Sequence, residues 1–411
     1  MRILIISQYF WPEDFFINQL AITLKNQGNE VVVATSKPNY PDGKIYSGYK
    51  GWGTSKEYFD KDIEVFRVPT YPRFKGGSIN LIINYLVFVI SGSLLFPFLL
   101  RNLKFDSILV FAGSPNAAIP AIFVKWIKRC QLTIWVQDLW PDTLFSTGHI
   151  KNKFLIETVK KIVKWTYKQS DTILVQSHAF INPVIKLSHS SKVIYYPNVA
   201  GVSINHSEAE GLISNEFKNI LKSFFTVVFT GNIGTAQSMQ TLIRAAQSLE
   251  KNINIKFVLV GSGSMLEWVK EQQLKLNLKN IYIAGRYPNS SMDFIFKKSG
   301  CLLAMLKSDE IFTYTIPSKI QSYLSSGMPI IASLNGEGAR IVEASGSGLT
   351  CAAEDSVGLA NCVLKIYETP ESERALMGVS GKKYYDEHFE INKQTKKLVE
   401  ILESRKIKGK Y

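Results

Sequence analysis

The sequence has few of the residues that hold metals or disulfides, with four cysteines and five histidines in 411 residues. The cysteines are Cys130, Cys301, Cys351 and Cys362, and the histidines are His149, His178, His189, His206 and His388. No two cysteines have CxxC spacing, and the histidine separations do not match those of zinc ligands. We therefore expect no disulfide framework, no protein-bound metal and no required cofactor, which fits a reducing cytoplasm.

The sequence also has no low-complexity tract, and its first residues do not resemble a leader. The apolar run in residues 1–7 is short and no cleavage site follows it, so we interpret it as a strand. Hydrophobic residues make up 46% of the chain and charged residues 20%, as in folded globular proteins. A chain of 411 residues is too long for one core, which predicts two domains.

Acidic residues are in the minority, with 34 Asp and Glu against 48 Lys and Arg. Most of the excess lies in residues 1–200, which contain 23 basic and 13 acidic residues. One predicted helix carries Lys151, Lys153, Lys160, Lys161, Lys164 and Lys168. Such a face suits an anionic membrane or nucleic acid, or is simply solvated. No aromatic residues alternate with the lysines, so nucleic acid is the weaker interpretation.

One long segment has no charge at all. Residues 79–100 are long enough to span a bilayer, but Asn80, Asn84 and Pro97 interrupt the apolar run. We rank a membrane-dipping helix first, a buried core helix second and a true span third. Together with the basic first half, this segment predicts contact with a membrane surface.

Strand and helix patterns alternate along the chain. Apolar runs predict strands at 2–6, 31–35, 63–68, 107–111, 132–136, 172–176 and 192–196, and then at 224–231, 255–260, 281–284, 301–305 and 329–332. Amphipathic stretches between them predict helices. This order indicates an α/β protein of two Rossmann-like doubly wound domains facing a central cleft, with ligands at the carboxyl ends of the strands. We place the first domain at 1–198, a linker at 199–223, the second domain at 224–385, and a last helix within 386–411 that packs back on the first domain.

Glycine-rich turns follow several strands of the second domain. Gly231-Asn-Ile-Gly234 and Gly261-Ser-Gly263 each join a strand to a helix, an arrangement that cradles a diphosphate. The third glycine of a GxGxxG fingerprint is missing, so a dinucleotide site is disfavoured. Arg286 ends the next strand, and its guanidinium can donate two hydrogen bonds to phosphate oxygens.

The segment from Pro317 to Pro329 predicts a helix that Pro317 and Ser318 open. Lys319 lies in its first turn, where a cation is electrostatically misplaced unless an anion is nearby. Gly336 and Gly338 precede the next helix and are expected to expose its N-terminus to phosphate.

In the first domain, polar and aromatic residues follow the strands. The first loop contains Trp11 and Glu13, and a later one contains Asn39 and Tyr40. Asp138 ends a buried strand, where a carboxylate can orient an acceptor hydroxyl or accept its proton, although it can also cap the next element.

These motifs together resemble the retaining GT-B glycosyltransferases of family 4, and most of all the bacterial branch proposed to transfer N-acetyl-L-fucosamine in O-antigen and capsule assembly. The matching segments are 9–13, 39–41, 137–141, 197–198, 231–234, 261–263 and 317–321. The resemblance implies a retaining enzyme of the hexosyltransferase class that uses a UDP-sugar. It implies an undecaprenyl-diphosphate-linked glycan acceptor and a peripheral position on the cytoplasmic face of the bacterial inner membrane.

The resemblance and the motifs define the candidate site. Its candidate catalytic residues are Asp138, Lys319 and Glu13. Its candidate donor-binding residues are Gly231, Asn232, Gly234, Gly261, Gly263, Arg286, Tyr287, Pro317, Ser318, Gln321, Ser322, Gly336, Glu337 and Gly338. Its candidate acceptor-binding residues are Trp11, Asn39, Tyr40 and Gln137. No metal ligand and no nucleic-acid partner are expected.

The chain departs from the family pattern at several positions. Tyr314 and Ser322 replace the two glutamates that many members carry, so Gln321 or Ser322 would have to hold the ribose. The missing glutamate pair leaves a non-catalytic membrane-bound assembly partner as one alternative interpretation. A UDP-sugar 2-epimerase is the other because it shares the architecture and the nucleotide site, although the apolar segment 79–100 argues against it.

Overall fold

The computed structural model describes residues 1–74, 77–143, 153–199 and 210–405. The chain forms two compact units, one of Met1–Val199 with Ile391–Tyr411 and one of Ala200–Glu390. Three residues discussed above, His149, Lys151 and His206, lie outside the described residues, as do positions 200–209 of the predicted linker and the end of the chain at 406–411.

Unit 1 is built on one twisted sheet. Its strands are β1 (Arg2–Ser7), β2 (Glu30–Ser36), β3 (Ser55–Phe59), β4 (Ile63–Val68), β5 (Ser107–Ala112), β6 (Gln131–Val136), β7 (Thr172–Val175) and β8 (Val193–Tyr195). The spatial order is β3-β4-β2-β1-β5-β6-β7-β8, and only the β3–β4 pair is antiparallel among these strands. Residues 3–6 of β1 are fully buried because helices cover both faces of the sheet.

The helices of unit 1 pack on this sheet. They are α1 (Phe16–Asn26), α2 (Ser78–Leu99), α3 (Ala118–Lys128), α4 (Lys153–Gln169), α5 (Ile181–Ile185) and α15 (Ile391–Ser404). The last helix of the described chain belongs here, since Leu398 and Leu402 of α15 join the core beside Leu20 and Leu24 of α1. The Tyr196 hydroxyl also donates to the backbone oxygen of Gln394 at 3.1 Å.

Unit 2 has a second parallel sheet. Its strands are β9 (Phe225–Asn232), β10 (Ile255–Ser262), β11 (Ile281–Gly285), β12 (Cys301–Met305), β13 (Ile330–Ser333) and β14 (Gly348–Cys351), in the order β11-β10-β9-β12-β13-β14. Its helices are α6 (Asn215–Ser223), α7 (Met239–Ser248), α8 (Leu266–Lys275), α9 (Met292–Lys297), α10 (Glu310–Tyr314), α11 (Ser318–Ser326), α12 (Glu337–Ala344), α13 (Ser356–Glu368) and α14 (Glu371–His388). Short 3-10 turns occupy 115–117, 178–180, 190–192, 210–212, 235–237 and 289–291. The predicted fold class of two doubly wound α/β domains is confirmed.

Two features differ from the prediction. The edge strand β3 was not predicted because its polar and exposed residues give no apolar run. The linker is shorter than 199–223, since α6 lies within it and buries Phe217 and Leu221 in the core of unit 2.

Among the described helices, one is long and apolar enough to cross a membrane by length and composition. This segment is Ile79–Leu99 of α2, and 28% of its most apolar stretch is buried within the structure. Its remaining side chains are partly or fully exposed on unit 1.

Candidate functional site

A cavity of about 740 Å³ opens in unit 2 where β9, β10 and β11 end. It is lined by Thr230, Gly231, Asn232, Val260, Gly261, Ser262, Arg286, Tyr287, Asn289, Met292, Asp293, Phe296, Ser318, Lys319, Ser322, Tyr323, Ser325 and Ser326. Ligands of doubly wound sheets bind at this edge, outside the carboxyl ends of parallel strands. Eight of the predicted donor residues, counting Lys319, therefore meet in one cavity.

The floor of the cavity is bare backbone from two adjacent strands. The parallel register pairs Gly231 of β9 directly with Gly261 of β10. Gly261 has a φ of +149°, and a Cβ atom there would lie 1.9 Å from the Gly231 oxygen. No residue with a side chain fits at Gly261, so the glycine keeps the two strand ends close together.

Lys319 reaches over this floor from the first turn of α11. Its Nζ atom lies 3.5 Å from the centroid of the Phe229 ring, and its Cε atom is 3.3 Å from where a Cβ on Gly231 would be. The Nζ atom is buried and has no hydrogen-bond partner among the described residues. Burial lowers the pKa of Lys319 to about 7. An ammonium held without an acceptor beside a cavity is poised for an anionic ligand.

The N-terminus of α11 faces the same cavity through Ser318 and Lys319. Pro317 is the N-cap, and no side chain in the described chain caps this terminus. Helix N-termini carry unpaired N–H groups and a partial positive charge. Lys319 and the helix end therefore direct positive potential at the same point.

A second cation, Arg286, also lines the cavity. Arg286 follows β11, is exposed and forms no ion pair with any described residue. The one carboxylate in the lining, Asp293, is paired with Lys297 at 2.9 Å. The cavity thus has two cations available to an anionic ligand, with a partly buried aromatic residue, Tyr287, beside Arg286.

The glycines at the start of α12 pack closely against neighbouring segments, and their phosphate-binding role stays a prediction. Gly336 has a φ of +79°, and a Cβ atom there would lie 2.1 Å from the Thr313 oxygen, so this glycine allows close packing of two backbone segments. A Cβ atom on Gly338 would lie 2.8 Å from Leu334. Glu337 is buried and forms a bidentate pair with Arg340 at 3.0 Å. None of the three glycine-loop residues lines the cavity.

Other predicted donor residues lie behind the lining. Gly234 and Gly263 support the loop, since a Cβ atom on either would lie 2.6 Å from the side chain of Asn232. Gln321 is buried, whereas Ser322 on the next position of α11 lines the cavity. Of the two residues considered for the ribose, Ser322 is the accessible one.

Glu13 in unit 1 organises two loops, and its catalytic role stays a prediction. Its carboxylate is fully buried, with Oε1 accepting from the backbone N–H groups of Asn39 and Tyr40 at 2.8 Å. Its Oε2 accepts from the N–H of Phe10 at 3.1 Å. Burial raises the pKa of Glu13 to about 7, although these three hydrogen bonds oppose the shift. The carboxylate thus joins two loops.

Two of the four predicted acceptor residues, Asn39 and Gln137, are buried and Trp11 is half-buried, and their acceptor-binding roles stay predictions. Asn39 is fully buried and donates to the Lys37 oxygen at 3.1 Å. Gln137 is buried, with a backbone oxygen that accepts from Gln176. Trp11 packs against Phe59 with ring centroids 5.5 Å apart.

Tyr40 is the predicted acceptor residue whose ring stays accessible. It packs against Tyr9 and Phe15 at centroid distances of 5.5 and 5.3 Å.

Asp138 is the predicted catalytic carboxylate of unit 1 that solvent reaches. It follows β6 at the mouth of a small pocket of about 10 Å³ that Trp140 also lines, with room for a single water molecule. Solvent reaches the carboxylate, but protein surrounds most of it, and this desolvation raises the pKa of Asp138 to about 6. Such a group is largely ionised at neutral pH and can still exchange a proton.

Comparison with known proteins agrees with this geometry. Residues 225–369 match the family model described as "Glycosyl transferases group 1". A probable glycosyltransferase of Pseudomonas aeruginosa, WbjE, is 24% identical over 301 residues, covering 70% of this chain and 71% of that protein. The putative colanic acid biosynthesis glycosyl transferase WcaI of Escherichia coli strain K12 is 22% identical over 339 residues, covering 80% and 82%. The matches support a glycosyltransferase of group 1.

Solved structures show the fold. Anabaena Alr3699/HepE in complex with UDP superposes with a TM-score of 0.69 at 15% identity, covering 98% of this chain and 100% of that chain. The fold is therefore GT-B. In this GT-B protein, no group of three or more His, Cys, Asp or Glu within the described ranges is placed to hold a metal ion.

Sequence reasoning missed several residues of this cavity. Asn289, Asp293 and Phe296 come from the turn and helix after β11, and the serines Ser325 and Ser326 come from the far end of α11. They belong to segments without a distinctive motif, and only the folded arrangement of α9 and α11 brings them to the cavity.

Proposed function

We propose that this protein is a retaining glycosyltransferase that moves a sugar from a UDP-sugar to an undecaprenyl-diphosphate-linked glycan. The sugar that we propose is N-acetyl-L-fucosamine. The product would belong to a surface polysaccharide such as O-antigen or capsule. WcaI is described as a putative colanic acid biosynthesis glycosyl transferase, and Alr3699/HepE has been crystallised with UDP and with UDP-glucose. Both facts favour a UDP-sugar donor and a polysaccharide product.

The observation that carries this proposal is the cavity in unit 2. Its volume of about 740 Å³ suits a nucleotide-sugar. Its walls combine a glycine floor, a helix N-terminus and the cations Lys319 and Arg286. Each of these features can stabilise a diphosphate, and all of them line the same cavity.

The transfer step needs stabilisation of the leaving diphosphate. The bond between the anomeric carbon and the diphosphate oxygen breaks, and a bond from that carbon to the acceptor oxygen forms on the same face. Lys319 and the α11 terminus neutralise charge as it develops on the leaving UDP. Asp138 is the candidate to orient the acceptor hydroxyl, and the hydroxyl proton goes to Asp138 or to the departing phosphate.

The proposal places the protein on the cytoplasmic face of an inner membrane, in contact through an apolar ridge on unit 1. We define the ridge as Ile79, Ile82, Leu86, Ile90, Leu94 and Phe98 of α2 with Phe123, Trp126 and Ile127 of α3, all of which are exposed. Five of the α2 residues are spaced by four, so they lie along one side of the helix. Leu94 is 71% exposed and Phe98 is 61% exposed, which is unusual for an ordered apolar stripe.

Basic residues border the ridge and favour an anionic lipid surface over a protein partner. The Arg101 guanidinium lies 4.4 Å from the Phe98 ring, and Lys128 donates to the Arg101 backbone oxygen. Trp126 packs edge-on against Trp165 of α4 at 6.4 Å, which connects the ridge to the lysine-rich face of that helix. An apolar stripe next to a basic face is the pattern of helices that lie in the membrane interface.

The opposite side of α2 is part of the folded unit, which argues against a transmembrane span. Asn84 accepts hydrogen bonds from Gln8 at 2.8 Å and from the Tyr9 hydroxyl at 3.1 Å, and donates to the Tyr71 oxygen at 2.6 Å. A Cβ atom on Gly92 would lie 2.9 Å from Pro120 of α3. We therefore propose that α2 lies along the membrane surface.

The first experiment compares thermal stabilisation by UDP, GDP and NAD. A ligand at one hundred times its dissociation constant adds about 2.7 kcal/mol to stability. We expect UDP alone to raise the melting temperature, and labelled sugar to pass from a UDP-sugar to a polyprenyl-diphosphate-linked glycan. Stabilisation by NAD alone would overturn the proposal, while interconversion of UDP-sugars without transfer would establish the epimerase alternative. UDP binding with neither reaction would favour the non-catalytic partner.

Binding of UDP is expected to take up protons. Burial lowers the pKa of Lys319 to about 7, so near pH 7 roughly half of the free protein carries neutral Lys319. A bound diphosphate favours the charged form, so UDP affinity should fall by up to about tenfold per pH unit above pH 7. Titration calorimetry at pH 7 in buffers of different ionisation enthalpy should show uptake of about half a proton per UDP.

Two variants control this proton uptake. Lys319→Arg stays charged at every pH used and should bind UDP without proton uptake. Lys275 is exposed on α8, away from the cavity, and Lys275→Met should leave the uptake unchanged. Uptake that persists in Lys319→Arg would assign the titration to another group.

A further inference from the structure

Arg73 forms the centre of an aromatic cluster in unit 1 that the proposed mechanism has not used. It lies in the loop between β4 and α2, on the sheet edge where the loops after β1 and β2 also lie. The Arg73 guanidinium carbon is 4.9 Å from the ring centroid of Tyr9, 5.7 Å from that of Tyr40 and 5.5 Å from that of Tyr85. Three tyrosines from three segments thus hold one cation in place.

The polar interactions of the Arg73 side chain within the described residues are with the hydroxyls of Tyr9 and Tyr85. Its Nη2 donates to the Tyr85 hydroxyl at 3.5 Å, which is a long contact. Its Nε is buried without a hydrogen-bond partner, and no carboxylate of the described residues lies within ion-pair distance. A guanidinium held between tyrosines, with no carboxylate counterion among the described residues, can receive an anion at the nitrogens other than the buried Nε.

Arg67 shows what a purely structural arginine looks like in the same unit. It is fully buried, and each of its three side-chain nitrogens has a partner. Its Nε pairs with Glu57, its Nη1 donates to the Ser36 oxygen at 2.8 Å, and its Nη2 donates to the Trp11 oxygen. Arg73 differs from it in having neither a carboxylate nor a backbone oxygen as a partner within the described ranges.

We propose that Arg73 and its three tyrosines bind the diphosphate group of the acceptor. The planar guanidinium can contact two phosphate oxygens at once while the tyrosine faces hold it rigid. The identity of the acceptor rests on the proposed function, whereas the anion site rests on the geometry of Arg73 itself.

The neighbours of the cluster fit this ligand at both of its ends. Tyr85 packs edge-on against Trp140 at 6.3 Å, and Trp140 is two residues from Asp138. A sugar attached to a diphosphate at Arg73 would therefore lie on the Asp138 side. Tyr85 is also in α2, one residue before Leu86 of the apolar ridge, so the lipid chain has an apolar surface to follow.

The test measures binding of inorganic pyrophosphate to the full chain saturated with UDP, which occupies the cavity of unit 2. We expect pyrophosphate to bind, and Arg73→Gln to weaken it by roughly tenfold to a hundredfold, as loss of charged hydrogen bonds does. Arg73→Lys keeps the positive charge but not the bidentate geometry, so its pyrophosphate affinity should lie between those of the wild type and Arg73→Gln. Arg244 is exposed on α7 of unit 2, and Arg244→Gln is the matched control that should bind normally.

A kinetic arm separates a lipid-linked diphosphate from a free one. Arg73→Gln should raise KM for a glycan on polyprenyl diphosphate by about tenfold or more and leave KM for the same glycan on a neutral alkyl chain unchanged. An equal rise for both carriers, or a loss of pyrophosphate binding without any change in KM, would overturn the assignment. So would pyrophosphate affinity that does not depend on Arg73.

Failure of this site and failure of the proposed function give different results. If UDP does not bind, the titration is repeated in the Lys319→Ala background, where the cavity of unit 2 has lost a phosphate-binding cation. Pyrophosphate binding that still depends on Arg73 would then support an anion site in a protein that is not a UDP-sugar transferase. Melting curves of each variant confirm that a lost signal does not come from unfolding.

Discussion

Replacing Lys319 with alanine is expected to reduce sugar turnover by about a hundredfold or more, the usual cost of losing a charge contact made in the transition state. The ammonium reaches the cavity floor between Phe229 and Gly231 and has no acceptor among the described residues. Its charge is therefore available to the leaving diphosphate. The measurement is kcat with a UDP-sugar and a polyprenyl-diphosphate-linked acceptor.

The control for this prediction is a lysine outside the cavity. Lys275→Ala changes an exposed residue of α8 and should keep full turnover. Lys319→Arg should retain more activity than the alanine variant because it keeps the charge. Near-normal turnover in Lys319→Ala would remove this lysine from the mechanism.

A stability measurement on Lys319→Met separates function from folding. A buried ammonium without a partner destabilises the fold, so methionine, which keeps the packing on Phe229, should raise the free energy of unfolding by about 1–3 kcal/mol at pH 7. The pKa of Lys319 is about 7 in the folded protein and is higher when unfolded, so the unfolded state binds more protons above pH 7. Wild-type stability therefore rises from about pH 7 towards pH 10, and the advantage of methionine shrinks over that window.

The alternation of apolar runs and amphipathic stretches was enough to predict the sheets. Buried parallel strands such as β1 and β12 are continuous apolar runs, so their burial is visible in the sequence. Strand β3 is a polar edge strand with alternating exposure, and no pattern distinguishes it from a loop. Helix α6 was hidden in a polar segment because two residues, Phe217 and Leu221, carry its burial.

The donor cavity was predictable where chemistry and local structure coincide. Lys319 stood out because a cation at a helix N-terminus needs an anion, and Gly231 and Gly261 because both end strands. Gly336 had the same local signature, yet it serves backbone packing against Thr313. Whether such a glycine lines a cavity or allows backbone packing depends on which segment lies next to it in the tertiary structure.

The acceptor side was less predictable because its residues converge from separate loops. Glu13 and Asn39 were predicted to be polar groups that contact a sugar. In the structure both are buried, and the Glu13 carboxylate accepts a hydrogen bond from the backbone N–H of Asn39. Arg73 was overlooked since nothing in its own segment marks it. Its candidate role becomes visible only in the fold, where Tyr9 and Tyr85 lie against its guanidinium. These tyrosines are 64 and 12 residues distant along the chain.

The double substitution Ile90→Glu and Leu94→Glu is expected to abolish binding to anionic vesicles. Each of the two side chains contributes about 1.5–3 kcal/mol if it is buried in lipid, so the pair should cost about a hundredfold or more in affinity. Both residues are exposed on α2, where glutamate is a good helix former, so the fold should be unaffected. The measurement is co-sedimentation with vesicles of phosphatidylcholine mixed with phosphatidylglycerol.

The matched control places the same two substitutions on exposed apolar residues of unit 2. Ile253 is 77% exposed and Leu274 is 81% exposed, so Ile253→Glu with Leu274→Glu adds the same charge and removes a similar apolar area. This variant should bind vesicles like the wild type, because the ridge and its basic border are intact. If both double variants lost vesicle binding equally, the added negative charge alone would explain the loss, and the proposed role of the ridge would be contradicted.

Extraction with alkaline carbonate tests the alternative that α2 crosses the bilayer. A helix held at the surface by an apolar stripe and lysines is released under those conditions, so wild-type protein that stays in the membrane would show that α2 is inserted.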